Sequence, residues 1–288
     1  MCKVSVVIPH YNCFQYIKEA IDSVKAQTFE DWEIIIMDDG STDVPFEELK
    51  KLEEENIKVF SQENQGPAAA RNAAIELSSG EYILPLDADD KIAPTYLEKA
   101  IPILDENPDI GIVYCKAEKF GRVNGYWALP EYSEELMVID NIIFCTAFFR
   151  KDDWKKVGGF PVFARLGVED YAFWLKLLSL GRKVVQINEI LFYYRIHESS
   201  RTTKFINDKE GVIRTYADIF RDNIDFFARH AEYWYRWKMN KCGQCLFVSN
   251  PRNINCFLLE DENIHFSDIK RIISRYIKKK WRKLTKRG

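Results

Sequence analysis

The strongest constraint on the fold is an alternation of short β-branched runs with amphipathic segments in the first 115 residues. Patterns typical of buried strands occur at 4–8, 33–37, 57–61, 81–86 and 110–114. Helical patterns separate them. Apolar residues recur at helical spacing from Ile17, a charged helix is predicted at about 45–55, and Pro67 stands near the first position of another predicted helix. Strands and helices that alternate with short loops predict a parallel sheet flanked by helices.

The second part of the chain is less regular. Residues 141–151 predict a buried strand, and residues 183–187 and 190–196 predict two more. A helix with an apolar inner face is predicted over residues 167–181, with Gly181 as its C-cap. After about residue 205 the pattern is helical and aromatic.

The charge distribution is uneven along the chain. The sequence has 41 Lys and Arg against 44 Asp and Glu, and ten of the basic residues lie in residues 270–288, where there is no acid. The rest of the chain therefore has 31 basic residues against 44 acidic ones. An acidic body repels a phosphate backbone, so we expect no nucleic-acid partner.

Cysteine usage and hydropathy indicate a cytoplasmic protein. The seven cysteines are an odd number with irregular spacing, which favours reduced core thiols. Cys242 and Cys245 form one CxxC pair, for which packing is favoured over zinc binding because only His230, Cys256 and His265 are near in sequence. The first residues do not read as a signal peptide, and no apolar run approaches the roughly 20 residues that span a bilayer.

Polar residues follow three predicted strands at the point where each strand ends. Tyr11 and Asn12 follow the first strand, Asp38 and Asp39 the second, and Asp87 a later one. The carboxyl ends of parallel strands share one edge of a sheet, and ligands bind beyond that edge. We therefore expect these side chains to converge on one site.

Three carboxylates, Asp87, Asp89 and Asp90, lie within four positions of each other. A calcium loop is excluded because Ile92 stands where such a loop needs glycine. Two interpretations remain: a solvated acid run that favours the start of the next helix, or carboxylates that hold Mg²⁺ or Mn²⁺, which in turn binds an anionic ligand.

Five segments together resemble family-2 glycosyltransferases with the GT-A fold. They are VSVVIPHYN, DDGSTD, NQGPAAARNAAI, LPLDADD and GVEDYAFWLKL, in the order and at roughly the spacing seen in that family, over about residues 3–200. The resemblance implies an α/β fold with a Rossmann-like, mostly parallel sheet flanked by helices. It also implies an inverting, metal-dependent enzyme that moves one hexose from a nucleotide-sugar, UDP-linked in our prediction, to a hydroxyl of a glycan.

The resemblance also implies a domain organisation. Residues 1–204 form the GT-A domain, with the nucleotide-sugar half in 1–115 and the acceptor half in 116–204. The helical and aromatic pattern after about residue 205, which lies beyond the resemblance, predicts that residues 205–288 form a helical C-terminal extension with a basic amphipathic tail.

Roles in donor binding are carried over by position in the motifs. Pro9 and Tyr11 match the wall of the nucleotide base pocket. Asp39 matches an acid that hydrogen-bonds uracil; a purely loop-capping role is its alternative. Arg71 matches a basic residue near the diphosphate or uracil, and an ordinary ion pair on a helix is its alternative.

The metal site and the general base are carried over in the same way. Asp87 would contact the ribose or the metal, and Asp89 would ligate Mn²⁺ or Mg²⁺. His197 corresponds to a histidine near the metal or diphosphate, with a plain loop residue as the alternative. Asp170 matches the general base that takes the acceptor proton. Glu169 is its neighbour and rival, and both acids can instead be a pair that favours the helix N-terminus.

Processive synthases of the broader family carry a Gln-x-x-Arg-Trp motif and membrane helices. Here Arg236 and Trp237 follow Tyr233 where the motif has Gln. We therefore predict a non-processive enzyme.

The C-terminal tail has one apolar helical face opposite a Lys and Arg face. This face consists of Ile269, Ile272, Ile273, Tyr276, Ile277, Trp281 and Leu284. Two interpretations stay open: binding to an anionic membrane surface, or a solubilising tail packed on the body. The first places the protein peripherally on the inner face of the plasma membrane, with a polyprenyl-diphosphate-linked acceptor used in bacterial surface-polysaccharide assembly.

Two other functions fit an α/β fold of this kind. One is a non-catalytic nucleotide-binding or membrane-adaptor module, against which the joint presence of Arg71, Asp89 and Asp170 argues. The other is a sugar nucleotidyltransferase, but PHYNCFQY after the first strand lacks the glycines of a phosphate loop.

Overall fold

The computed structural model describes residues 2–164, 167–198 and 208–242. The chain divides into two compact units, Met1–His230 and Ala231–Gly288. The sequence analysis placed a boundary after residue 204, whereas the helices Lys209–Asp222 and Ile224–Arg229 belong to the first unit. A salt bridge of 2.9 Å between Lys176 and Asp222 is one of the contacts that hold them there.

The first half of the sheet is parallel, as predicted. Its strands are β1 (Val4–His10), β2 (Trp32–Asp38), β3 (Ile57–Ser61) and β4 (Tyr82–Pro85), in the spatial order β3-β2-β1-β4. The strands are rich in Ile and Val because helices cover both faces of such a sheet.

The second half continues the same sheet with mixed direction. Its strands are β5 (Lys91–Ile92), β6 (Ile110–Gly121), β7 (Gly125–Trp127), β8 (Phe148–Arg150) and β9 (Lys183–Ile196). The order continues β4-β8-β6-β9-β5, and β7 pairs with β6. Strands β6 and β9 are parallel, while β5, β7 and β8 pair antiparallel.

Helices connect the strands and supply the core faces. They are α1 (Phe14–Lys25), α2 (Phe46–Lys50), α3 (Pro67–Leu77), α4 (Tyr96–Glu106), α5 (Lys151–Val157), α6 (Glu169–Ser179), α7 (Lys209–Asp222), α8 (Ile224–Arg229) and α9 (Ala231–Cys242). In α1 the periodic face from Ile17 to Val24 is buried, as predicted.

The two strands predicted at 183–187 and 190–196 are one strand, β9. Strand β6 pairs with it along its whole length, and the register shifts between Cys115 and Lys116, whose partners are Ile187 and Ile190. The polar residues between these partners therefore form an irregularity within the strand, where the sequence analysis had placed a break between two strands.

Two further elements are shorter than predicted. Of the strand predicted over 141–151, only Phe148–Arg150 pairs in the sheet. The preceding apolar residues form a buried loop. The Ile143 carbonyl of this loop accepts a hydrogen bond from the indole of Trp174 on α6 at 3.1 Å. The helix predicted over 45–55 ends at Lys50, because the chain turns back into β3.

Within the described residues, no helix has both the length and the apolar character needed to cross a bilayer. The basic tail, Cys245 and Cys256 lie outside the described residues, so the predictions made for them stay predictions. Tyr233 and Arg236 lie on α9 in the second unit, where Arg236 pairs with Glu232 at 2.6 Å.

Candidate active site

A cleft of about 840 Å³ lies at the carboxyl ends of β1, β2 and β4, and we call it the strand-end cleft. Seven of the eight predicted site residues line it: Pro9, Tyr11, Asp39, Arg71, Asp87, Asp89 and His197. The convergence expected from the strand ends is therefore present in the structure. The individual roles of these residues remain predictions.

The two neighbouring acids after β2 have different surroundings. The Asp38 carboxylate lies 3.0 Å from Nδ1 of His10 and accepts a hydrogen bond from the Ser41 amide, and Asp38 does not line the cleft. Asp39 lines the cleft and holds the loop before α3. Its carboxylate accepts from the Gln65 and Gly66 amides at 2.9 and 2.8 Å. Asp39 thus caps this loop, and it also faces the cleft.

The rim near Tyr11 is shaped by a left-handed turn at Asn12, where φ is 52°. The Asn12 side-chain oxygen accepts hydrogen bonds from the amides of Thr42 and Asp43 at 2.8 and 3.2 Å. This contact ties the loop after β1 to the loop after β2, and it leaves Tyr11 half exposed at the mouth of the cleft. An exposed ring beside a polar cleft is suited to stacking on a planar ligand.

The three clustered acids each have a different partner. Asp87 accepts from Arg71 at 2.5 Å, Asp89 lies 2.7 Å from Nε2 of His197, and Asp90 accepts from the Arg195 amide at 2.8 Å. Burial, together with the charge of Asp87, raises the pKa of Asp89. Burial and both neighbouring acids raise the pKa of Asp90 well above its ordinary value. Full ionisation of these three acids is therefore electrostatically unfavourable, and a cation beside them would relieve the repulsion.

The sequence analysis did not single out Arg195, which contacts residues 87–90, the turn that carries Asp87, Asp89 and Asp90 and that we call the acid turn. Its Nε donates to the Asp89 carbonyl at 2.7 Å, and its guanidinium lies 4.5 Å and 4.3 Å from the ring centroids of Tyr16 and Phe120. Glu19 completes the surroundings with an ion pair of 2.9 Å. The available signal was its position two residues before His197 at a strand end.

The donor atoms in the cleft suit a divalent metal. A carboxylate oxygen and an imidazole nitrogen from Asp89 and His197 are adjacent, and Asp87 lines the same cleft. Over the described residues, no group of three His, Cys, Asp or Glu is arranged to hold a metal alone. A metal here would therefore take further oxygen ligands from a bound molecule. Cys13 is an unsuitable ligand, since burial and Asp89 raise its thiol pKa to about 12.

Asp170 lines a second pocket of about 320 Å³ at the N-terminus of α6, which we call the α6 pocket. The Asp170 carboxylate accepts from the Asn141 amide group at 3.0 Å and from the Tyr171 backbone amide at 2.8 Å. Val168, which precedes the helix, has a φ of 59°. A β-branched residue in the left-handed region is strained, and such strain is concentrated at functional sites.

A buried arginine connects the two pockets. Arg71 is 1% exposed and donates to Glu169 at 2.7 Å as well as to Asp87, and the two carboxylates hold its pKa well above the usual range. Arg71, Asp87 and Tyr194 line both pockets. Glu169 is therefore engaged with Arg71, while its neighbour Asp170 is held by Asn141.

Comparison with known proteins identifies the family. The Glycosyl transferase family 2 profile matches residues 5–169, more than half of the chain, so the chain belongs to this family. The resemblance stated from the five motifs is confirmed. S. aureus TarS, solved in complex with UDP-GlcNAc, superposes with a TM-score of 0.63 at 21% identity over 89% of this chain and 78% of that one. This similarity confirms the predicted GT-A-like fold.

Two relatives by sequence differ greatly in length. The UDP-Glc:alpha-D-GlcNAc-diphosphoundecaprenol beta-1,3-glucosyltransferase WfaP of Escherichia coli is 32% identical over 68% of this chain and 78% of its own. The chondroitin synthase of Pasteurella multocida is 32% identical over 72% of this chain, but the match spans only 22% of that longer enzyme.

Proposed function

We propose that this protein is an inverting, metal-dependent glycosyltransferase that moves one hexose from a UDP-sugar to a hydroxyl of a glycan acceptor. The nucleotide-sugar donor occupies the strand-end cleft, and the acceptor hydroxyl enters from the α6 pocket. The observation that carries this proposal is the shared border of the two pockets. There the acid turn of the first half and the base-bearing helix of the second half meet at Arg71.

Donor binding follows from the lining of the strand-end cleft. Tyr11 and Pro9 cover the nucleotide base, and Asp39 lies within reach of polar atoms of that base. Asp39 is already oriented by the Gln65 and Gly66 amides, so binding requires little rearrangement on this side. The bound UDP-sugar of TarS supports the nucleotide class through the shared fold.

The diphosphate is anionic, and the acids near it cannot bind it directly. Asp89 and His197, with Asp87, are the residues that would hold Mn²⁺ or Mg²⁺, which when bound supplies positive charge beside the departing diphosphate. Arg195 keeps the Asp89 backbone in place for this contact. Arg71 orients Asp87 from the buried side.

Asp170 acts as the general base in the transfer. The acceptor hydroxyl oxygen attacks the anomeric carbon from the face opposite the diphosphate. As the new C–O bond forms, the bond to the diphosphate oxygen breaks, and the hydroxyl proton passes to the Asp170 carboxylate. A single in-line displacement of this kind inverts the configuration. Glu169 is assigned to holding Arg71, because that contact occupies one of its oxygens in the buried interior.

The acceptor is proposed to be a lipid-linked glycan in bacterial surface-polysaccharide assembly. The name of the Escherichia coli relative states a UDP-Glc donor and a diphosphoundecaprenol acceptor, which supports this class. A basic tail on the membrane surface would bring the cytoplasmic enzyme to such an acceptor, and the enzyme would add one sugar per encounter. Family membership favours transfer over the two alternative functions, an adaptor module and a nucleotidyltransferase.

A thermal-shift titration with UDP, GDP and CDP, each with and without Mn²⁺, tests the donor assignment. We expect one nucleotide, UDP, to stabilise the protein in a metal-dependent manner, and we expect Asp89→Ala to lose this response. Stabilisation by GDP or CDP alone would correct the nucleotide. The absence of any nucleotide response would overturn the donor site.

A further inference from the structure

One wall of the α6 pocket is aromatic. It is formed by Trp127 of β7, Phe144, and Phe192 and Tyr194 of β9. The ring centroids of Trp127 and Tyr194 are 4.9 Å apart, those of Trp127 and Phe144 are 6.1 Å apart, and those of Phe144 and Phe192 are 4.6 Å apart. These contacts join residues from three separate parts of the chain into one continuous aromatic wall.

Other residues of the same pocket are polar. Asp140, Asn141 and Asp170 line it together with Arg71 and Asp87. Asp140 is itself held, since its carboxylate accepts from the Tyr216 hydroxyl at 3.1 Å. A pocket with an aromatic wall and a few fixed polar groups favours a ligand that has both an apolar face and hydrogen-bonding edges. A pyranose ring has this character, with C–H groups on its faces and hydroxyls around its rim.

We propose that Trp127 and the adjoining aromatic rings bind the terminal sugar of the acceptor, with an apolar face of the pyranose against the wall. This inference rests on the proposed function and adds the acceptor subsite to it. The pocket volume of about 320 Å³ is at the lower end of the range for ligand sites, so it suits a terminal residue and not a long glycan segment. The polar residues of the pocket then face the hydroxyls, and Asp170 is among them.

The hairpin formed by β6 and β7 offers a control for the proposed role of Trp127, because its neighbour Tyr126 lies on the opposite face of β7. Strand β7 pairs with β6 in antiparallel register, Trp127 opposite Ala117 and Tyr126 opposite Glu118. Successive strand residues point to opposite faces, so Trp127 faces the pocket while Tyr126, 52% exposed, faces away. Tyr126→Ala is therefore a matched control that removes an aromatic ring from the same hairpin without touching the pocket.

The test uses the full-length protein saturated with UDP and Mn²⁺. Binding of the methyl glycosides of glucose, galactose, mannose and N-acetylglucosamine is measured by saturation-transfer NMR and by calorimetry. The tightest-binding glycoside is then used as acceptor with the UDP-sugar that the enzyme turns over. Wild type, Trp127→Ala, Trp127→Phe and Tyr126→Ala are compared for acceptor KM, donor KM and acceptor-independent hydrolysis of the donor.

We expect Trp127→Ala to raise the acceptor KM and the glycoside Kd by about tenfold, and Trp127→Phe to restore most of the loss. Donor KM and donor hydrolysis should stay within about twofold of wild type, and Tyr126→Ala should behave as wild type. Unchanged glycoside binding in Trp127→Ala would overturn the proposal, as would a wild type that binds UDP but none of the glycosides. A wild type that fails to bind UDP would instead overturn the donor assignment.

Discussion

The strand-end cleft and the α6 pocket are built in different ways. In the strand-end cleft, acids that directly follow strands are held by nearby backbone groups, as Asp39 is held by the loop before α3. In the α6 pocket the walls come from β7, β9, α6 and the loop around Asn141, which are far apart in sequence. The strand-end cleft is therefore built mainly from local contacts, and the α6 pocket from contacts between distant segments. Under the proposed function, the first holds the nucleotide and the second the acceptor.

The largest effect is expected from substituting Asp170, the proposed general base in the α6 pocket. Asp170→Asn should lower kcat for transfer by about 10³-fold, because the amide cannot accept the hydroxyl proton. Metal-dependent stabilisation by UDP should persist, since the strand-end cleft is untouched. In Asp140→Asn, which changes another acid that lines the pocket, we expect kcat to stay within about tenfold of wild type and any larger change to be in the acceptor KM. Equal losses in both variants would contradict a specific base.

Arg71, one of the three residues that line both pockets, should contribute to the stability of the fold. Arg71→Met removes the buried guanidinium from which Asp87 and Glu169 accept, and we expect the free energy of unfolding to fall by about 3 kcal/mol. Urea unfolding measures this change. Adding Glu169→Gln to the same chain should recover part of the loss, because one buried charge is removed with its partner. A double variant less stable than Arg71→Met would count against this account of the ion pair.

Asp89→Asn should impair the binding of UDP in the strand-end cleft, whereas Asp170→Asn should leave that binding intact. We expect the affinity for UDP in the presence of Mn²⁺ to fall by about 100-fold, since a metal-binding carboxylate is lost. Calorimetry with UDP and Mn²⁺ provides the measurement. Asp90→Asn is the control: its side-chain oxygen can still accept from the Arg195 amide, so UDP affinity should change little. If Asp89→Asn left the effect of Mn²⁺ on UDP affinity unchanged, Asp89 would not be a ligand of the metal.

Arg195 should influence the metal without contacting it. In Arg195→Lys the charge beside Glu19 is kept, but the planar group that contacts the Asp89 carbonyl and both rings is lost. We expect the Mn²⁺ concentration needed for UDP stabilisation to rise about tenfold. Glu19→Gln, which removes the partly exposed ion pairs with Arg195 and Lys91 but leaves the Arg195 contact with the Asp89 carbonyl, should have a small effect. If Arg195→Lys lowers the melting temperature but leaves the metal titration unchanged, Arg195 is structural only.

The smallest effect concerns pH and the buried carboxyl group of Asp90, which lines the α6 pocket. The pKa of Asp90 is raised in the folded state, so the folded protein binds this proton more tightly than the unfolded chain does. Its contribution to stability is present at low pH and is lost as pH rises from about 4 through the raised pKa. Asp90→Asn should therefore melt above wild type by a margin that grows with pH, reaching about 2–4 °C. A margin independent of pH would contradict the raised pKa.

Much of the strand-end cleft was predictable because its signals are local. A strand, its terminal polar residue and the following loop are contiguous, so Tyr11, Asp39 and Asp87 could be placed on one edge from the strand pattern alone. The contacts that Arg195 makes with the acid turn were not predictable in this way. Its contacts with Tyr16, Phe120 and Asp89 bring together α1, β6 and the acid turn, which are distant in sequence.

The α/β class, the parallel first half of the sheet and the family could be predicted from the sequence, because hydrophobic periodicity and short motifs act over a few residues. Three features became known only from the folded chain: residues 183–196 form one strand, Arg71 is buried between two acids, and Trp127 lies in the same pocket as Asp170. These features depend on pairing and burial between distant segments. A linear pattern contains the residues but not the contacts that bring them together.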